Sequence, residues 1–359
     1  MVIDYASIEK VFTERTSDFQ AVSDFIHENP ELAFEEHKSH AFLAEKLAKE
    51  GFTVEEQYLK CETAFRATFE KASEFILHWY GHSLRSFLQI VVLGTPAEES
   101  GGGKQKLIDG GAFKDIDVAM MVHPANTANE ITPLFIGVNV ILAEFHGKAA
   151  HAAGYPWDGR NALDGAVGCY SALAMLRQHL RPNCKIHAII KNGGAAANVI
   201  PEYSSLSIFY RAPTLREMEE LAERVDHCVK AGALLSSTQA TISRPQCDYQ
   251  PLRSNATLAK LYKKYCEKNG MTFDDAAKRG TFVASSDVGN VSWLVPTIQP
   301  IFHIDAKGPN HSVAFTEAAG KSEAQKNTLI AAQAMAYTCA DIFCESGLLV
   351  SIKEEFQRK

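Results

Sequence analysis

At 359 residues the chain exceeds the roughly 250–300 residues over which one hydrophobic core keeps growing, so two domains are expected. Hydrophobic residues make up 46% and charged residues 22%, which excludes a disordered or fibrous chain; a formal net charge of -7 without a block of lysines or arginines excludes the basic stripe of a nucleic-acid binder. The first residues are acidic and polar, no apolar run approaches the roughly 20 residues of a membrane span, and the eight cysteines include no C-x-x-C pair, so a cytoplasmic protein with free thiols and no membrane contact is expected.

In chain order, two helical patterns near the N-terminus frame a turn, the second over 35–49 with Phe42, Leu43 and Leu47 on one side and Gly51 as its stop. Residues 65–69 read as a strand, whereas 70–86 has no clean period. The apolar run 89–93 ends in Gly94-Thr95-Pro96 and predicts a buried parallel strand feeding a loop; 118–122, ending at His123-Pro124, predicts a second, and 106–113 a short helix between them. Strand, loop, helix, strand, loop is the rhythm of an α/β sheet, whose ligands gather beyond the carboxyl ends of the strands.

The pattern then changes. Strands over 135–146, 184–191, 206–211 and 238–243 alternate with helices over 161–179 and 215–235 in the order β-α-β-β-α-β, which is the ferredoxin-like arrangement. Thr214, with Glu217 three residues on, marks the second helix by a capping box. α/β character returns with a helix over 258–268, a strand over 297–303 and a long helix over 317–343. The expected organisation is an α/β-sheet catalytic domain from 1–134 and 246–359, with a ferredoxin-like domain inserted at 135–245.

Chemistry concentrates after the 89–93 strand, where Glu98-Glu99 precedes Gly101-Gly102-Gly103. An arbitrary pair of glutamates is ordinarily two solvated surface acids; at this position one carboxylate can bind a metal while its neighbour takes a proton from water. His123 closes the next strand, His82 lies ahead and His311 near the C-terminus, and one carboxylate with three imidazoles from separated loops suits a zinc-type site. Taken alone, each histidine is equally a surface or backbone-bonded residue. Gly101-Gly102-Gly103-Lys104 lacks the spacing of a phosphate-binding loop, and neither a G-x-S-x-G elbow nor an H-E-x-x-H helix is present.

These residues resemble peptidase family M20, which includes carnosinase, aminoacylase, aminobenzoyl-glutamate hydrolase and plant auxin-conjugate amidohydrolases. The likeness covers nearly the whole chain and rests on the segment from Phe25 to Glu36, on Gly94-Thr95-Pro96-Ala97-Glu98-Glu99, on Met121-Val122-His123-Pro124 and on His146-Gly147-Lys148-Ala149-Ala150-His151-Ala152. It implies a hydrolase-like catalytic domain with an inserted lid and dimerisation domain, and metal-dependent hydrolysis of an amide bond in a dipeptide or N-acyl amino acid. It further implies Glu98 as general base, Glu99, His123, His311 and His82 as ligands of two zinc or manganese ions, and His151 as oxyanion stabiliser, reaching across a homodimer. Asn198, in Asn198-Val199-Ile200-Pro201, and Arg211 are implied in substrate binding, the arginine pairing a carboxylate. Ser286-Asp287-Val288-Gly289-Asn290-Val291-Ser292 and Thr316-Glu317-Ala318-Ala319-Gly320 resemble the branch that splits β-alanyl-lysine and related dipeptides.

The chain departs from the family at His78-Trp79-Tyr80-Gly81-His82-Ser83, where Tyr80 replaces a ligand cysteine. A phenol with a pKa of about 10 is a poor substitute for a thiolate at neutral pH. The path from Phe69 to Thr95 is also short by a strand, an acidic loop and a helix, which leaves a second reading open: an impaired enzyme, or a binding or dimerisation protein.

Overall fold

The computed structural model describes residues 4–72, 87–273 and 284–358. Helices α1 (Tyr5–Glu14) and α2 (Thr16–Glu28) lead into α3 (His37–Lys49). The expected helix begins two residues late because Glu31 folds back and its carboxylate accepts from the backbone N–H groups of Lys38 and Ser39 at 2.8 and 2.9 Å. That satisfies donors which an open first turn leaves without partners. Gly51, at φ +88°, stops the helix as expected.

After it, β1 (Thr53–Glu56), β2 (Phe65–Ala72) and β3 (Phe87–Gly94) form an antiparallel sheet in that order. This corrects the expectation of a buried parallel strand over 89–93. A buried parallel strand needs neighbours on both edges and cover on both faces. Among the described residues β3 bonds to β2 alone, with Phe69 opposite Ile90, and Ile90 is 40% exposed.

Parallel pairing appears further on. Following α4 (Gly103–Gly110), β4 (Ala119–Met120) and β5 (His123–Ala125) run parallel to β12 (Thr297–Ile298) and β13 (Ile301–His303). The strand expected over 297–303 is split in two around Pro300, which lacks an N–H and accepts from His123 N at 2.9 Å but returns no bond; of the strand expected over 118–122 only Ala119–Met120 forms, and β5 follows it outside that range. The helix expected over 317–343 is likewise two, α9 (Val313–Ala319) and α10 (Ser322–Cys344), broken at Gly320, where the His27 imidazole occupies the space of a side chain.

The inserted unit has the expected strand and helix order. Strands β6 (Gly137–His146), β8 (Lys185–Asn192), β10 (Tyr203–Ala212) and β11 (Gln239–Ser243) form an antiparallel sheet ordered β11-β6-β10-β8. Helices α5 (Ala162–Arg177) and α6 (Leu215–Ser236) cover one face, burying Phe145, Leu173, Leu206, Ile208 and Val225. Thr214 Oγ1 accepts from Glu217 N at 3.2 Å, so the capping signal is realised. Two short strands, β7 (Ala150–His151) and β9 (Val199–Ile200), form a separate ribbon.

The remaining core lies between α7 (Ala256–Lys268), α10 and α11 (Leu348–Gln357), where Leu258, Tyr262, Ala331, Ala334, Tyr337 and Ile352 are buried. A single buried turn, α8 (Val288–Val291), lies between α7 and β12 in the chain. The N-terminal helix docks on the α7–α10 core: the hydroxyls of Tyr5 and Tyr265 both donate to the buried Asp341 carboxylate. Among the described residues no single helix is long and apolar enough to cross a membrane.

The closest approach of α5 and α6 is at Gly232, where an added Cβ would lie 2.3 Å from the Gly165 carbonyl oxygen. Alanine gains roughly 1 kcal/mol of helix propensity over glycine, whereas overpacking a filled contact costs about 1–3 kcal/mol. Gly232→Ala is therefore expected to lower, not raise, the urea unfolding midpoint of this unit; a higher midpoint would show that the helices simply move apart.

Candidate active site

The loop between β3 and α4 is held at both ends and in the middle. Ala97, in the left-handed region at φ +57°, donates its N–H to Glu36 at 2.8 Å, and the same carboxylate accepts from Thr63 Oγ1 at 3.0 Å. The Glu98 carbonyl accepts from the Tyr249 hydroxyl at 2.7 Å. At the far end Lys104 makes two bonds to Asp287, from its N–H at 3.0 Å and its ammonium at 2.8 Å. The glycines between serve packing: a Cβ on Gly103 would sit 1.8 Å from the Pro96 carbonyl oxygen, and one on Gly102 would sit 1.7 Å from Cys247 Sγ. Held this way, Glu98 is half-buried and Glu99 exposed, so the adjacent carboxylates occupy different environments.

Glu99 meets His311, its Oε2 lying 3.5 Å from His311 Nε2. His311 is a non-glycine residue at φ +68°, and such backbone strain persists where surrounding contacts over-determine it. Here Asn310 supplies one contact, donating to the Pro124 carbonyl at 3.0 Å. That carbonyl also accepts from His123 Nδ1 at 2.8 Å. A carbonyl can only accept, so Nδ1 carries the proton and Nε2 keeps its lone pair, the tautomer a metal ligand requires. One backbone oxygen thus ties the His311 loop to the strand end of His123.

The structure brings Glu98, Glu99 and His311 to one loop cluster and links His123 to it. His82 and Tyr80 lie outside the described residues. Among the described residues no group of three or more His, Cys, Asp or Glu is arranged to hold a metal ion. The fit is therefore partial: oxygen and nitrogen donors of the right kind face each other, without a closed set of three.

In the inserted unit, β7 pairs His151 with Val199, and Ala152 N donates to the Asn198 carbonyl at 3.1 Å, so His151 and Asn198 share one exposed ribbon. His151 Nδ1 accepts from the N–H groups of Ala153 and Gly154 at 3.2 and 3.0 Å. Its proton is thereby placed on Nε2, which becomes an outward hydrogen-bond donor. Arg211 lies on β10 and donates to Ser285 Oγ at 2.8 Å; burial draws its pKa down.

Three comparisons bear on this arrangement. Residues 135–235 match the peptidase dimerisation domain of M20 proteins. Among curated proteins, a human (Homo sapiens) protein named Xaa-Arg dipeptidase is 37% identical, over 94% of this chain and 88% of its own length. The chain belongs to the M20 peptidase family. A p-aminobenzoyl-glutamate hydrolase polypeptide from Escherichia coli is 25% identical over 99% of this chain and 95% of its own. Among solved structures, a dinuclear metal-binding M20 peptidase from Bacillus subtilis superposes with a TM-score of 0.65 at 14% identity, covering 93% of this chain and 99% of that one. An aminobenzoyl-glutamate utilization protein from Klebsiella pneumoniae gives 0.66 at 14% identity, with 96% and 100% covered.

Within this M20 frame the sequence reading misses Glu36, Lys104, Asp287 and Tyr249, the groups that hold the loop. Glu36 and Asp287 stand in recognisable motifs, and Lys104 stands in the segment that fails as a phosphate loop; Tyr249 carries no local signal. The Lys104–Asp287 pair is testable as the anchor. Asp287 is fully buried, and burial pushes its carboxyl upward against the pull of Lys104. Removing one partner of a buried pair typically costs about 3–5 kcal/mol, whereas an apolar replacement of both is often neutral. Asp287→Asn is expected to lose most of that amount in urea unfolding, and the double change Lys104→Met with Asp287→Leu to recover most of it; equal losses in both would mean the charges are not coupled.

Proposed function

We propose that this chain is a metal-dependent dipeptidase acting as a homodimer on dipeptides with a basic C-terminal residue. The observation that carries the reading is the meeting of Glu99 and His311 beside Glu98, with the His311 loop tied through the Pro124 carbonyl to the strand end that presents the Nε2 of His123. The 37% identity to a protein named Xaa-Arg dipeptidase supports the substrate class. β-Alanyl dipeptides such as β-alanyl-lysine share the cationic C-terminal residue, and N-acyl amino acids the scissile amide.

Glu99, His123 and His311, with His82, would hold divalent metal, zinc or manganese. When bound, such a cation polarises the substrate carbonyl and makes water more acidic. Glu98, free of any side-chain partner among the described residues, takes the proton from the attacking water and returns it to the leaving amine nitrogen. The negative charge then developing on the carbonyl oxygen needs a donor that points outward, and His151 Nε2–H is one. Arg211 has spare guanidinium donors for a substrate carboxylate, with Asn198 on the same ribbon as His151.

The dimer reading rests on the lid. Among the described residues β8 is an edge strand whose outer side has no partner in the sheet, with Ile189 61% exposed. A long apolar edge strand of this kind invites pairing with another chain. Cys61, Cys169, Cys184, Cys228, Cys247, Cys266 and Cys339 are free thiols, which suits a reducing cytoplasm. Ile189→Lys is expected to halve the particle mass measured by light scattering and to abolish hydrolysis together with it. A dimeric, active variant would exclude this edge as the interface.

The central test is turnover of Xaa-Arg and β-alanyl dipeptides by zinc- or manganese-loaded protein. Glu98→Gln is expected to lower kcat by at least about 100-fold, the low end for loss of a general base, and chelation to remove activity reversibly. Identical rates in wild type and variant would defeat the proposal. The partial ligand set favours a second reading, a lid-bearing binding or dimerisation protein of impaired catalysis. Elemental analysis separates them: two metals per chain support the dipeptidase, at most one the second reading.

A further inference from the structure

The chain passes between the catalytic part and the lid twice, and the crossings lie side by side. Val138 and Tyr249 exchange both backbone hydrogen bonds at 2.9 Å, and Leu252 N donates to Phe135 O at 3.0 Å. The returning crossing is pinned by the buried Asn290, whose Oδ1 accepts from Gln250 N at 2.8 Å and whose Nδ2 donates to Asp248 O at 2.8 Å and to Gln105 Oε1 at 2.7 Å. Gly289 lets it approach this closely, since a Cβ there would lie 1.9 Å from the Gln250 carbonyl oxygen.

From this pinned crossing the Tyr249 side chain reaches the loop and donates to the Glu98 carbonyl at 2.7 Å, its ring beside Gly102. We infer that Tyr249 is a positioning residue that fixes the Glu98–Glu99 loop to the base of the lid. It touches neither carboxylate; it sets where they stand relative to the element carrying His151, Asn198 and Arg211. Burial pushes its phenol far above the usual range, so it remains a donor. The loop needs such a fixed point because Ala97 holds a left-handed backbone just before Glu98. The catalytic meaning of this placement rests on the hydrolase reading; the placement itself does not.

Tyr249→Phe deletes the hydroxyl and keeps the ring. Misplacing a reacting group by about 1 Å can cost 100-fold in rate, so partial release of the loop is expected to lower kcat by about 10-fold or more while KM stays within about twofold. In hydrogen–deuterium exchange, the amides of 98–103 are expected to exchange about 5-fold or more faster with the unfolding midpoint little changed, as for one lost hydrogen bond in an intact fold. Asn290→Ser, which loosens the crossing and releases Gln105 in the first turn of α4 but removes no bond to residues 98–103 themselves, is expected to speed exchange in the same peptide. Wild-type exchange at 98–103 in both variants overturns the inference, as does an unchanged kcat in Tyr249→Phe. If wild type proves inactive with metal, the proposed function fails, and the exchange comparison alone still decides the role of Tyr249.

Discussion

Lys104 and Asp287 form an ion pair that neither solvent nor another charge can replace, because Asp287 is wholly buried. It fixes the first turn of α4 to a segment nearly two hundred residues away in the chain. The glycines before α4 can then pack against Pro96 and Cys247 only in one arrangement, and the glutamates at the loop tip inherit it. Buried pairs are poor sources of net stability but good at excluding alternatives, and here the alternative excluded is a wandering pair of acids.

The same loop shows how a short connection reshapes an α/β sheet. With β3 hydrogen-bonded to β2 alone among the described residues, the strand that delivers Glu98 belongs to an antiparallel sheet, while the strands that deliver His123 pair in parallel with the C-terminal segment. Among the described residues the site is therefore assembled from two separate pieces of sheet, joined by side chains and by the shared Pro124 carbonyl rather than by one continuous ladder. Family membership and superposition on M20 structures show that the overall plan survives this.

The inserted unit was legible because its information is local: helical spacing from Leu215 to Val229, a Thr214 cap and alternating strands each need only near neighbours. His151 was named by resemblance alone, and the structure adds that its imidazole accepts from amides two and three residues on. The pairing direction of 89–93 was not, because an apolar run fits either ladder until its partner is known. Tyr249 illustrates the limit most sharply. Nothing in its neighbourhood of sequence distinguishes it from a surface tyrosine, and its meaning comes from a carbonyl 151 positions away. Glu36 is similar, a residue in a recognisable motif whose work is done on Ala97.

The paired crossings beneath the lid also have a mechanical meaning. Two chain segments that exchange backbone hydrogen bonds behave as a strap: bending across its flat face is easy, whereas twisting or spreading it must break bonds. His151 and Asn198, sharing one ribbon, would be carried together by any such bend, about a line that passes the residue gripping Glu98.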